Sequence, residues 1–175
     1  MEVSPTRNIA TLLGLFLTLA VTNFWAQGKP VYSLLTASDV SAVGATGQGI
    51  PGEMPISNGP TKGDTKKLCS WRLPDGGLHV SLAKMPPGMS RDAVLAELNK
   101  TYALLKAQGW TEEKKDFGHV FCNLYTPPAG KQDMPATTSC LTDTKGTMVS
   151  AATLSKNRIP MEKIKALVDS AAGRL

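Results

Sequence analysis

Two histidines and three cysteines, His79, His119, Cys69, Cys122 and Cys140, are the side chains here with the widest chemical reach. His119-x-x-Cys122 with Cys140 offers the imidazole and thiolate donors that suit zinc or copper. On a strand, however, positions three apart point to opposite faces. A cysteine held in a disulfide cannot ligate as a thiolate either. Ser81-x-x-Lys84 has the spacing of penicillin-recognising enzymes, in which one helical turn sets lysine beside the serine nucleophile. Here it falls on a period-2 stretch, and the Lys-Thr-Gly and Ser-Asp-Asn companions are absent. The glycine-rich run 44–49 follows a helix, whereas a phosphate cradle leads from a strand into one. No Walker A, His-Glu-x-x-His, Gly-x-Ser-x-Gly or EF-hand pattern occurs. His79 is expected to face solvent from the outer side of its strand, with no base role. The reading therefore assigns no catalytic residue, no metal site and no cofactor.

Binding is the chemistry left. Lys and Arg number 19 against 14 Asp and Glu, a formal charge of +5. Such a balance suits an acidic protein or an envelope polymer as partner, although ordinary solubility of a solvated face accounts for it better. Lys62, Lys66 and Lys67 cluster beside the first hairpin, and Lys163, Lys165 and Arg174 sit on the last helix. Nucleic-acid binding would interleave aromatics for stacking, and Trp71 follows the core pattern instead, so no nucleic acid is expected. Residues 44–67 lack any hydrophobic period and read as one long Gly/Pro-rich loop. Loops above about 12–15 residues tend to be functional or disordered, which makes this stretch, with Lys62, Lys66 and Lys67, the candidate binding region. Residues 112–116 are mixed in sign and read as an exposed turn. Asn99-Lys100-Thr101 matches a glycosylation sequon inside a helical pattern.

Regular elements must carry these residues. Thr36-Ala37-Ser38-Asp39 has the form of a helix start, closed by Gly44 after about two turns. Cys69, Trp71 and Leu73, then Leu78, Val80 and Leu82, alternate about a turn at Pro74-Asp75-Gly76-Gly77, predicting a hairpin. Ser90 is a candidate N-cap for a helix with Leu95, Leu98, Tyr102 and Leu105 on one side and Gly109 past its end. Val120, Cys122 and Leu124 alternate in a third strand. Residues 138–142 and 147–154 form a second hairpin about Lys145-Gly146. Pro160 opens a closing amphipathic helix through Ile164, Val168 and Ala171. The expected class is α+β, an antiparallel sheet of about five strands with two main helices, in the order α-β-β-α-β-β-β-α. A ββα pseudo-repeat relates the two hairpins.

The first 26 residues carry Arg7, an apolar run over 9–21 and then Asn23-Phe24-Trp25-Ala26, the layout of a signal peptide. Residues 27–175 are then a single domain, secreted or periplasmic, with no stable membrane span after cleavage. In an oxidising compartment three cysteines imply one disulfide and one spare thiol. Cys122 to Cys140, across a Pro- and Gly-bearing segment, is the favoured pair, and Cys69 to Cys140 is the alternative.

The Leu-Thr-x-x-Asp-Val opening at 35–40, the Cys69-Ser70-Trp71 strand and the closing helix together resemble small secreted or lipoprotein domains of bacteria that lack an assigned function. That resemblance implies a PsbP/Mog1-like α+β sandwich acting outside the cytoplasm. Those families place a lipobox cysteine after the leader and this chain does not. No catalytic residues come with the resemblance. Three functions stay open: an exported non-catalytic binding module, a hydrolase or redox/metal protein using Cys69 or His79 and His119, and a secreted inhibitor or immunity-type protein.

Overall fold

The computed structural model describes residues 30–55, 65–85 and 88–175. The expected leader and Lys62 lie outside the described residues. A 3-10 turn, Val31–Leu34, leads into helix α1, Ala37–Ala42. Thr36 and Asp39 close a reciprocal capping box: the Asp39 amide donates to Thr36 Oγ1 at 3.2 Å and the Thr36 amide to Asp39 Oδ2 at 2.7 Å. Strands β1 (Thr46–Pro55), β2 (Thr65–Leu73) and β3 (Gly76–Lys84) precede helix α2, Arg91–Ala107. Strands β4 (Thr111–Asp116), β5 (Val120–Thr126), β6 (Ala136–Thr144) and β7 (Thr147–Ser155) precede helix α3, Met161–Gly173. The strands form one antiparallel sheet in the order β1-β2-β3-β7-β6-β5-β4.

The class is α+β, with seven strands instead of about five. The two additional strands are the sheet's edges, and each hides from pattern reading for its own reason. Gly47, Gly49, Pro51, Gly52 and Pro55 erase any alternation in β1, whose residues are all exposed or half-buried. Strand β4 reads Thr-Glu-Glu-Lys-Lys-Asp and contains no apolar residue. Residues 44–67 are accordingly not one loop, since they hold β1 and the start of β2. Residues 112–116 form a strand and not an exposed turn. Prolines on one edge and charges on the other are common devices on unpaired strands.

Pairing sets Cys69, Val80, Ala151, Cys140 and Cys122 in one row across five strands. This face packs on Ile164, Leu167, Val168 and Ala171 of α3 and holds the main core. Cys122 and Cys140 are directly opposed and joined in a disulfide, while Cys69 is a buried free thiol. Arg174 fastens the chain's start, donating to the Leu34 carbonyl at 2.6 Å and to Asp39 at 2.7 Å. Helix α2 packs on the opposite face, through Val94 and Leu98 against Leu141 and Met148, with Leu105 against Trp110 and Tyr125 nearby. The two hairpin-plus-helix units thus place their helices on opposite sides, so the expected pseudo-repeat is not a symmetric one. Between β6 and β7, Lys145 and Gly146 both have positive φ, 49° and 70°. A two-residue turn of that kind matches the twist of the strands it joins.

Candidate functional site

The sheet face beneath α2 is built from small polar residues set between core residues. Val80-Ser81, Ser139-Cys140 and Val149-Ser150-Ala151 each turn a core side chain toward α3 and a hydroxyl toward α2. Register aligns Leu68, Ser81, Ser150, Leu141 and Phe121 in one row, and Ser70, His79, Ala152, Ser139 and Asn123 in the next. Lys66 extends this face at the β2 end. A polar strip therefore crosses the middle of the sheet, roofed on one side by the apolar side of α2.

Its hydroxyls and amides are bonded laterally. Ser81 Oγ and Ser150 Oγ lie 2.8 Å apart across the β3–β7 pair. Ser139 Oγ donates to Asn123 Oδ1, and Asn123 Nδ2 donates to the Tyr125 hydroxyl at 2.6 Å. Burial and the adjacent Glu112 carboxylate push the Tyr125 phenol well above its ordinary range. Glu112 in turn pairs with Lys114 at 2.9 Å. Ser70 Oγ and His79 Nδ1 lie 2.8 Å apart. Burial, reinforced by the Lys66 charge, lowers the His79 pKa.

Lys66 is the anomaly on this strip. Only 6% of its surface is exposed, and it has no ion pair among the described residues. Its side chain helps to wall a cavity of about 40 Å³, together with Ser81, Ser150, Asn123, Leu98 and Phe121. That space suits a small head group, being a few times the minimum that one water requires. Burial alone brings the Lys66 pKa from 10.5 to about 8. A buried ammonium without a counter-charge is costly and is therefore rare.

The other singled-out residues are dispersed. Lys67 is exposed and points away from Lys66, so these two do not share a surface cluster. His79 is half-buried and bonded to Ser70, not turned to solvent. Cys69 lies on the α3 side of β2 while His79 lies on the α2 side of β3, so no Cys–His pair forms between them. Burial also raises the Cys69 thiol, which disfavours its reactive thiolate. His119 sits at an exposed corner, 2.8 Å from Asp169. Among the described residues no group of three or more His, Cys, Asp or Glu is placed to hold a metal ion. Lys66 carries one sequence signal, its basic neighbours, but the cavity it lines is completed by α2 and by strands far along the chain.

No protein-family profile matches this chain, and no curated protein does. Among solved structures, the extracellular domain of PknH from Mycobacterium tuberculosis is similar, with a TM-score of 0.50 over 79% of this chain and 93% of that one. At 11% identity the likeness is one of fold. Cyanobacterial PsbP from Synechocystis also matches, at 14% identity and a TM-score of 0.37 over 72% of this chain and 79% of its own. That score is too low to bear on architecture. Among the described residues no helix is long and apolar enough to cross a membrane.

Proposed function

We propose that this chain is an exported, non-catalytic binding module whose ligand seat is the Lys66 cavity beneath α2. The observation that carries the reading is a lysine 6% exposed, unpaired among the described residues, at the wall of a cavity edged with serines. Proteins do not keep such a charge for stability, because an apolar residue there would serve the fold better. Pockets with an apolar body and a few convergent polar groups are the usual seats of small ligands. Export is supported by the leader pattern and by a disulfide suited to an oxidising compartment. The PknH neighbour is likewise described as an extracellular domain. Separation of Cys69, His79 and His119 favours binding over hydrolysis or redox chemistry.

Amide NMR of the full chain, screened against a charge-balanced set of small fragments, tests the site. Binders are expected to move the amides of Ser81, Ser150 and Asn123 regardless of their charge. Binding confined to other surfaces, or none across the set, would overturn the reading.

A further inference from the structure

We infer that the cavity takes the carboxylate end of a small monoanion whose apolar body lies along Leu98, Phe121 and Met148. This inference rests on the binding-module reading and adds the chemistry of the ligand. Buried charges in proteins are paired, coordinated or neutralised, and the described residues offer Lys66 no anionic partner. Among the described residues the cavity wall holds this one cation and no carboxylate. A ligand that balances it carries a single negative charge.

The neighbouring polar groups have donors to spare. Ser81 and Ser150 share one hydrogen bond, which consumes one hydroxyl proton and leaves the other free to donate. Asn123 has two amide protons, of which the Tyr125 hydroxyl takes one. One ammonium, one free hydroxyl proton and one free amide proton make a donor set that an oxyanion satisfies and a cation does not. A phosphate monoester carries nearly two charges at neutral pH, more than Lys66 alone offsets. Apart from Ser139, whose hydroxyl proton goes to Asn123, the rest of the described lining is apolar: Leu98 descends from α2, and Phe121 and Met148 rise from the sheet. An aliphatic or aromatic body attached to the carboxylate would cover those side chains.

Titration of the labelled full chain with butyrate, butyramide and inorganic phosphate, followed by amide NMR, tests this. Butyrate is expected to saturate at Ser81 and Ser150, with butyramide roughly tenfold to a hundredfold weaker, the ratio that loss of a charge-assisted contact implies. Lys66→Met is expected to remove the butyrate response. In the unsubstituted chain, the Lys66 Cε titration is expected to move upward when butyrate binds, which keeps the test open if the variant misfolds. Equal affinity for butyrate and butyramide overturns the inference and leaves the binding-module reading standing. Butyrate binding that survives Lys66→Met does the same. Tighter saturation by phosphate overturns the choice of a monocarboxylate. Silence of the cavity toward these probes and toward the whole fragment set overturns both.

Discussion

Replacing Lys66 with methionine keeps most of the buried stem and removes the charge. A fall in pKa from 10.5 to about 8 on folding corresponds to about 3 kcal/mol of unfavourable free energy for the protonated lysine. After relaxation of the site, we expect the methionine variant to be more stable at pH 7 by about 1–3 kcal/mol. The sign of the pH dependence follows from proton counts. Between about pH 8 and 10.5 the unfolded chain holds a proton that the folded chain has released, so raising pH through that window stabilises the parent protein. Below pH 8 both states are protonated and the whole penalty is present. The variant's advantage is therefore expected to be full at pH 7 and nearly gone at pH 10.5. Urea denaturation of both chains at the two pH values measures it as a difference of differences, in which the shared titration of tyrosines and other lysines cancels. A variant less stable than the parent at pH 7, or an increment unchanged by pH, would refute the claim that Lys66 is buried, charged and uncompensated among the described residues.

Thiol titration of the denatured, unreduced chain is expected to find one reactive group, Cys69, and its Cys69→Ser variant none. Replacing Cys122 and Cys140 by serine is expected to lower stability by about 3 kcal/mol, the chain-entropy value for a link spanning 18 residues, read from the urea midpoint. Ser81→Ala and Ser150→Ala are each expected to cost about 1 kcal/mol by orphaning the other hydroxyl, with the double variant less harmful than their sum in a double-mutant cycle. Burial alone would raise the Asp39 pKa, but Arg174 and the Thr36 and Ser170 donors outweigh it and hold the carboxyl at about 2, below its ordinary 3.8. Its contribution is present above pH 3.8 and lost as pH falls through 2, so Asp39→Asn is expected to destabilise by about 2 kcal/mol at pH 7 and much less at pH 2 in acid-unfolding curves.

Elements with one buried face were legible in the residues themselves. Trp71 and Leu73 on β2, Leu78 and Val80 on β3, and Ile164 and Val168 on α3 point at the same core, and their spacing says so. Ser90 caps α2 through the Ala93 amide, and Gly109 follows it with φ of 84°, as the punctuation suggests. The edge strands were not legible, because hydrophobic alternation records burial and neither β1 nor β4 is buried enough to carry it. The cavity escaped for a related reason. A lysine among glycines, prolines and other lysines carries the local signature of a solvated loop. Lys66 shares its cavity with Leu98, Met148 and Phe121, and no local window contains all of these.

Pro51 and Pro55 withhold amide donors along one flank of the sheet, and Glu113, Lys114, Lys115 and Asp116 stand exposed along the other. A second molecule sliding up to the first flank meets gaps in the hydrogen-bonding template, and one sliding up to the second must bring charged side chains together. Both devices work against edge-to-edge stacking of copies into fibrils, although Ile50 stays exposed on the first flank of the seven-stranded sheet.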